Sequence, residues 1–158
     1  MKKVEKTNAV RILEQHKAVF STHDYSATEA ISATEVAHVL GLDPDKVFKT
    51  LVTVGKSNEH YVFVVPAESE LDLKKAAAAV AEKNVAMVKS KELLPLTGYI
   101  HGGCSPVGMK KFFKTVFDIS AKSFDTVVFS GGKIGLQVEM PISELEKVIP
   151  LIFADLKQ

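Results

Sequence analysis

The chain has 158 residues, of which 46% are apolar and 25% are charged, and its formal net charge is +1. Such a length and balance are typical of a single globular domain, here 1–158, with a core that needs no metal or disulfide. One cysteine, Cys104, excludes an internal disulfide and a cysteine-based zinc site. The near-neutral charge excludes a protein whose whole surface binds polyanions. Because the amino terminus lacks a long apolar run, we predict no signal peptide, no membrane span and a cytoplasmic protein.

The first part of the chain alternates helix and strand signals. Thr7 is a predicted N-cap for a helix that runs to about Lys17. Ser32 and Glu35 have the spacing of a capping box, and Gly41 is placed to end that second helix. Two alternating apolar runs joined by a turn of Gly, Ser and Asn predict a β-hairpin. The predicted strands of this part are 18–25, 47–54 and 60–67.

An alanine-rich segment opens the second part of the chain. Asp72 is its predicted N-cap, and we expect the helix to end near Asn84. A short strand over 85–88 and a short helix that stops before Pro95 follow, because a proline lacks the N–H that a helix interior needs.

The last third of the chain carries most of the remaining strand signals. Strands are predicted over 115–120, 126–132, 134–140 and 151–156, with Gly131 and Gly132 forming the turn between the middle two. Ser143 and Glu146 repeat the capping-box spacing before a final helix. Six to eight strands with helices among them predict an α+β fold: one domain with a mixed, largely antiparallel sheet.

Lys49 lies within a strand pattern whose two faces both carry large apolar groups. An ammonium group is costly to desolvate at such a position without a partner. Lys49 is therefore either an edge-strand lysine that reaches water and discourages aggregation, or a cation held at a pocket wall to meet an anionic or carbonyl oxygen.

The stretch HGGCSPVGMKK, residues 101–111, contains a glycine loop with two interpretations. Gly102 and Gly103 admit close approach of a ligand, and successive amides from Gly103 to Ser105 are able to converge on an oxyanion. The alternative is an ordinary turn. A buried thiol in a loop is more often inert packing than a nucleophile, so we favour backbone donors over Cys104.

Basic and aromatic residues alternate directly after this loop, with Lys110, Lys111 and Lys114 beside Phe112 and Phe113. This pattern is able to hold an RNA backbone and to stack bases. The commoner structural explanation is a solvated lysine face whose phenylalanines lie in the core. The scattered histidines show no metal-ligand spacing, and we expect neither a metal nor another cofactor.

Taken together, four segments resemble the YbaK/EbsC family, free-standing editing proteins that deacylate Cys-tRNA(Pro). The segments are VFKTLV, GYIHGGCSPVGMKK, KTVFD and FSGGKIGLQVE, and the resemblance runs from about Thr22 to the end of the chain in matching order. It implies a mixed β-sheet core, partly barrel-like, with surrounding helices. A related editing domain is inserted in bacterial prolyl-tRNA synthetases, and the length of this chain favours the free-standing group.

The resemblance also implies site residues. Lys49, Gly102 and Gly103 fall on the catalytic positions, with the G-x-x-x-P loop ending at Pro106. Gln137 stands where close relatives often carry an acidic residue, so it is able to accept a hydrogen bond from the substrate amine but not to pair with its charge. The implied substrate-binding positions are Tyr25, Thr50, Ser105, Pro106, Ser130 and Gln137, and the implied tRNA-binding positions are Lys110, Lys111 and Lys114.

The implied activity is deacylation of mischarged Cys-tRNA(Pro), with Cys-tRNA(Cys) as a further candidate substrate. The implied mechanism is substrate-assisted: the esterified cysteine attacks its own carbonyl with its thiol and leaves as a thiolactone. The implied partners are the 3′ aminoacyl end of a mischarged tRNA and prolyl-tRNA synthetase. Three alternatives stay open on the sequence alone. They are a deacylase of another mischarged tRNA such as Ala-tRNA(Pro), a thiol hydrolase that uses Cys104 with a histidine, and a non-catalytic module that binds RNA or a protein partner.

Overall fold

The computed structural model describes residues 6–158, and residues 1–5 of the predicted 1–158 domain lie outside the described residues. Helices and strands are interspersed along the described chain, with one 3₁₀ helix at Ile119–Ser123. The helices are α1 Asn8–Gln15, α2 Ala33–Leu40, α3 Leu73–Ala79, α4 Ser90–Thr97 and α5 Ile142–Leu145. The strands are β1 Ser21–Asp24, β2 Phe48–Gly55, β3 His60–Pro66, β4 Val85–Met87, β5 Lys114–Asp118, β6 Val127–Lys133, β7 Leu136–Met140 and β8 Ile152–Ala154.

The strands form two sheets, one of three strands in the order β1-β7-β6 and one of five in the order β4-β2-β3-β5-β8. Pairing is antiparallel except between β3 and β5 and between β5 and β8. The prediction of an α+β fold with mixed, largely antiparallel pairing is therefore confirmed. An isolated parallel bridge between Val47 and Val128 joins the sheets. Over the described residues, the two sheets do not close into a barrel. This single bridge is therefore the one part of the expected barrel-like arrangement that is present.

The main core fills the space between the two sheets. Phe48, Phe117 and Phe129 are almost completely buried there. The opposite face of the five-stranded sheet is covered by α3, whose Ala76 packs in a second cluster with Phe63. Because both faces of this sheet are covered, the middle strand β3 is a nearly continuous apolar run instead of an alternating one.

Several local sequence signals are confirmed. The Thr7 side chain accepts a hydrogen bond from the Val10 amide and caps α1. Ser32 and Glu35 form both hydrogen bonds of the predicted capping box at the start of α2. The predicted hairpin is β2–β3, with every residue from 48 to 54 paired with its partner strand.

Two predicted helix ends are wrong. Helix α3 ends at Ala79 instead of near Asn84, because Ala81 adopts a left-handed φ of 57° and the Glu82 amide donates back to the Ala77 carbonyl. Helix α4 continues past Pro95 to Thr97. The Gly98 amide and the Thr97 hydroxyl bond the carbonyls of residues 94 and 93, so the proline removes only one bond from this last turn.

Three further boundaries also differ from prediction. Gly131 and Gly132 do not form the β6–β7 turn; they lie inside β6, at a register irregularity between Ser130 and Lys133. The predicted capping box at Ser143 is absent, because α5 already begins at Ile142 behind Pro141 and Ser143 lies within its first turn. The strand predicted over 18–25 is paired only over Ser21–Asp24.

Candidate active site

A cavity of about 480 Å³ lies along one edge of β2, in the gap between the two sheets. β2 meets β6 at the Val47–Val128 bridge and pairs with β4 only from Thr53 onward. Between these two contacts the edge of β2 has no neighbouring strand within residues 6–158, and residues 48–52 line the cavity. The divergence of the two sheets along β2 thus creates the cavity.

The cavity brings together five of the predicted site residues: Lys49, Thr50, Gly102, Ser130 and Gln137. The other four, Gly103, Tyr25, Ser105 and Pro106, do not line it. The sequence reasoning missed several lining residues because no motif marks them. They come from the start of α2 and from the β4–α4 segment and include Ile31, Ser32, Met87, Lys89, Ser90 and Leu93.

Lys49 combines both of its predicted interpretations. It lies in the stretch of β2 that pairs with β3 but has no strand on its other side among the described residues, and it also lines the cavity. Its side chain is 26% exposed, and its Nζ lies 3.9 Å from the carboxylate of the well-exposed Glu70. Such a long, solvated ion pair binds the ammonium weakly, so Lys49 remains available to an anionic or carbonyl oxygen in the cavity.

Thr50 presents a polar atom that lacks a partner. Its Oγ1 is buried and makes no hydrogen bond within the described part of the chain, although the residue lines the cavity. A buried hydroxyl without a partner costs free energy, and such groups are rare in native proteins, where a catalytic role or a bound water or ion commonly explains them. Thr50 is therefore a candidate for contact with substrate.

The glycine loop contributes through Gly102 but not through the Gly103 amide. Gly102 has a φ of 87°, which favours glycine, and a Cβ there would meet the side chain of Ile31 at 2.8 Å. The Gly103 N–H, which we predicted to be an oxyanion donor, instead donates to the Ile100 carbonyl. Ser105 is fully buried, and its hydroxyl accepts from the Val107 amide.

Cys104 lies in the cavity wall as a packed thiol. It is 7% exposed, and burial raises its pKa to about 12, against a smaller opposing effect of a hydrogen bond with Thr97. A nucleophilic cysteine needs a low pKa to supply the thiolate near neutral pH. These surroundings agree with the prediction that the thiol is inert.

A buried hydrogen bond links two predicted pocket residues. The Gln137 Nε2 atom donates to the Tyr25 hydroxyl at 3.4 Å, and both residues are at least 95% buried. This bond turns the amide nitrogen toward Tyr25, and Gln137 also lines the cavity. Tyr25 does not line the cavity itself but orients the side chain of Gln137, which does. Ser130, on the neighbouring strand, accepts from the Gly132 amide at 3.1 Å.

Comparison with known proteins identifies this arrangement. Residues 28–148 match the family model described as the aminoacyl-tRNA editing domain, which covers most of the chain. The chain belongs to the aminoacyl-tRNA editing domain family. The resemblance seen in the sequence is thereby confirmed, and the matched segment includes the cavity and the glycine loop of this editing domain.

Among curated relatives, an Enterococcus faecalis protein provisionally named Cys-tRNA(Pro)/Cys-tRNA(Cys) deacylase EbsC is 45% identical over 137 residues, covering 86% of this chain and 84% of the relative. The proline–tRNA ligase of Pelobacter propionicus is 26% identical over 102 residues, or 65% of this chain, but the match spans only 18% of the ligase. The editing domain thus resembles both a free-standing protein and a segment of a synthetase.

Solved structures share the fold. A structure provisionally described as a trans-editing enzyme for prolyl-tRNA synthetase superimposes with a TM-score of 0.82 at 26% identity, covering 98% of this chain and 99% of the other. A hypothetical protein superimposes with a TM-score of 0.88 at 21% identity, covering 96% and 100%, and supports the fold alone.

The predicted tRNA-binding lysines of the editing domain lie outside the cavity. Lys110, Lys111 and Lys114 are all exposed, and the Lys110 amide bonds the carbonyl of Thr97, the last residue of α4. Ser90 and Leu93 of the same helix line the cavity, so Lys110 lies next to the carboxyl-terminal end of a helix that forms part of the cavity wall.

The two phenylalanines of the basic segment differ in their surroundings. Phe113 is 9% exposed and contacts His60, with ring centroids 5.4 Å apart, as the core interpretation expects. Phe112 is 51% exposed beside the lysines, as an RNA-stacking interpretation requires. In residues 6–158, no group of three or more metal-ligating side chains is present. None of the helices over the same range has the length and apolar character that crossing a membrane requires.

Proposed function

We propose that the protein is a trans-acting aminoacyl-tRNA deacylase that clears cysteine mischarged onto tRNA(Pro). The names of its relatives support this activity and this substrate. The main structural observation in its favour is that Lys49, Thr50 and Gly102 line one cavity large enough for an aminoacyl group. Ser130 and Gln137 form a polar wall of this cavity.

The chemistry proposed for this cavity uses the thiol of the substrate. The sole cysteine of the chain is buried with a raised pKa, so the protein contributes no ready thiolate near neutral pH. The free thiol of an esterified cysteine has a pKa of ~8.5 and supplies a few per cent of thiolate. The substrate is therefore the better nucleophile.

The proposed step is an intramolecular transfer of the acyl group from the ribose oxygen to the substrate sulfur. The substrate sulfur forms a bond to the ester carbonyl carbon, the bond from that carbon to the ribose 3′ oxygen breaks, and the thiol proton goes to that oxygen. The products are a cysteine thiolactone and tRNA with a free 3′ hydroxyl. By holding thiol and carbonyl in one bent conformer, the cavity removes the entropic part of the barrier.

Lys49 is assigned to an oxygen of the tRNA end. Among the described residues, its ammonium has one charged partner, the weak contact with Glu70, so it is available either to bind the phosphate or ribose of the terminal adenosine or to approach the ester carbonyl. Gly102 gives the substrate close access to the loop backbone. Lys110, Lys111 and Lys114 are assigned to the tRNA body, with prolyl-tRNA synthetase as the partner that presents the tRNA.

The test is deacylation of Cys-tRNA(Pro) and Ala-tRNA(Pro), with and without prolyl-tRNA synthetase. We expect Cys-tRNA(Pro) to be cleared, Lys49→Gln to lose at least about tenfold in kcat/KM, and Cys104→Ala to remain active. Glu70→Gln is the matched control, because it removes the exposed partner of Lys49 but no cavity contact. It is expected to stay within about threefold of wild type.

The alternatives predict different outcomes in the same assay. Loss of activity in Cys104→Ala indicates a thiol hydrolase and contradicts the proposed mechanism. Preferential clearance of Ala-tRNA(Pro) indicates the related deacylase and removes the need for a substrate thiol. Binding of tRNA without turnover indicates a non-catalytic module and contradicts the proposal altogether.

A further inference from the structure

Main-chain hydrogen bonds alternate between the two edges of β2, and one bond at the hairpin determines the phase, that is, which residues face which edge. The Gly55 N–H donates to the Glu59 carbonyl at 2.8 Å where the hairpin closes. In an antiparallel pair, bonded residues alternate along the strand, so residues 49, 51 and 53 exchange their bonds with β3. The main-chain groups of residues 48, 50 and 52 consequently point to the opposite edge of β2.

Contacts at both ends of that edge agree with this phase. The Val52 carbonyl accepts from the Val88 N–H at 3.1 Å, and the Lys46 carbonyl accepts from the Val128 N–H at 2.9 Å. Each end of the edge is therefore closed by a neighbouring segment. The opening between them is centred on Thr50.

Thr50 thus directs its main-chain N–H and C=O into the cavity. Among residues 6–158, no strand pairs with it on this side, and its buried Oγ1 also lacks a partner. Buried main-chain groups are almost always bonded in native proteins. A residue with a free donor and a free acceptor at a cavity wall is able to bind a ligand that carries one acceptor and one donor.

We propose that the aminoacyl group of the substrate binds to Thr50 as a one-residue antiparallel strand. Its ester carbonyl oxygen accepts from the Thr50 N–H, and its α-amine donates to the Thr50 carbonyl. This inference rests on the proposed deacylase function and specifies how the substrate is held. Under this inference, the site recognises the α-amino group that is adjacent to the ester.

The arrangement also provides the oxyanion contact that the Gly103 amide does not. When the substrate thiol attacks, negative charge develops on the carbonyl oxygen, and the Thr50 N–H already points at it. It further explains how the cavity accepts an amine without an acidic partner. The one carboxylate among the described lining residues belongs to Glu35, whose Oε1 accepts from the Ser32 amide in the α2 capping box.

The protein-side test replaces single main-chain amides by esters. Exchanging Thr50 for its α-hydroxy acid analogue deletes one N–H and keeps the side chain. We expect kcat on Cys-tRNA(Pro) to fall about 100-fold or more, with a melting temperature close to that of the wild type. The matched control is the same exchange at Thr53, a buried residue of the same strand whose N–H lies in the β2–β3 ladder and which does not line the cavity. There we expect a lower melting temperature and an unchanged kcat.

The substrate-side test compares Cys-tRNA(Pro) with 3-mercaptopropionyl-tRNA(Pro), which keeps the thiol and ester but lacks the α-amine. Losing one hydrogen bond is expected to lower kcat/KM about fivefold or more. Equal clearance of the two substrates would overturn the inference. So would a Thr50 ester variant that keeps kcat within about threefold of wild type, or a Thr50→Val variant that loses as much as the ester, because the hydroxyl would then be the donor. Failure of the wild type to clear Cys-tRNA(Pro) instead contradicts the proposed function.

Discussion

A Cβ atom on Gly103 would lie 2.9 Å from the backbone nitrogen of Ile134. The glycine loop therefore packs backbone to backbone against the β6–β7 turn. This contact fixes the position of the neighbouring Gly102, which lines the cavity. The second glycine of the loop is thus explained by packing, whereas the first faces the candidate site.

Replacing Gly103 by alanine is expected to destabilise the fold. The new methyl group would overlap main-chain atoms of Lys133 and Ile134, which cannot move aside like a side chain. We expect Gly103→Ala to lower the free energy of unfolding by about 1–3 kcal/mol in urea titrations. Unchanged stability would show that the loop is not packed against this turn.

Replacing Gly102 by alanine tests the cavity itself. Its φ of 87° strains any side chain, and a Cβ would press on Ile31 at the cavity wall. Gly41→Ala is the matched control, because it has a φ of 67° but nothing within 4 Å of its Cβ. We expect both variants to lose about 1–2 kcal/mol of stability. Only Gly102→Ala should also lose deacylation, and equal activity in the two variants would remove Gly102 from the site.

Glu139 gives the fold a defined acid sensitivity. Burial raises the pKa of Glu139, but hydrogen bonds from Lys46, Thr126 and His23 outweigh it and bring the pKa to about 2, below its ordinary 4.5. Because the folded pKa is lower than the unfolded one, the stabilisation is complete above about pH 4.5 and is lost as the pH falls toward 2.

Glu139→Gln therefore has a pH-dependent cost. We expect it to lower the free energy of unfolding by about 2 kcal/mol near pH 7, allowing for solvent screening of this partly exposed cluster. The difference from wild type should shrink as the pH falls below 4.5. Glu29→Gln, at an exposed position, is the control and should show no such trend. A constant difference at all pH values would contradict the assigned hydrogen bonds.

The lysine patch predicts a salt effect on tRNA binding. Each lysine that contacts a phosphate releases condensed ions, so binding weakens as salt rises. Changing Lys110, Lys111 and Lys114 together to glutamine should reduce the slope of log K against log salt by about 2. The control triple is Lys56, Lys74 and Lys83, which are equally exposed but distant in sequence from the patch. The patch is not a tRNA contact if both triples change the slope equally.

Local chemistry made much of the fold predictable. Capping at Thr7 and Ser32 and the β2–β3 hairpin depend on neighbouring residues, so their patterns are visible in the sequence. The register irregularity at Gly131 was not predictable from the sequence, because two glycines after a strand usually indicate a turn. Its position is instead set by pairing with β7 and by the Thr7 hydroxyl, which donates to the Gly131 carbonyl from 124 residues away.

The candidate site was predictable only in part for the same reason. Lys49 and Gly102 belong to sequence motifs, and the cavity includes both. Met87 and Ser90 line the cavity only because β4 pairs with the far end of β2, a contact without a sequence signal. The free main-chain edge at Thr50 depends on where two neighbouring segments stop, which no residue type reveals.

The antiparallel pairing of β1 with β7 determines when the site is able to form. Tyr25 and Gln137, which share a hydrogen bond at the cavity wall, are separated by 112 residues. During synthesis, β1 leaves the ribosome long before β7 exists to pair with it, and contacts of such sequence separation slow folding. The nascent chain can complete the β2–β3 hairpin early, but it has no competent cavity until β7, which carries Gln137, has emerged.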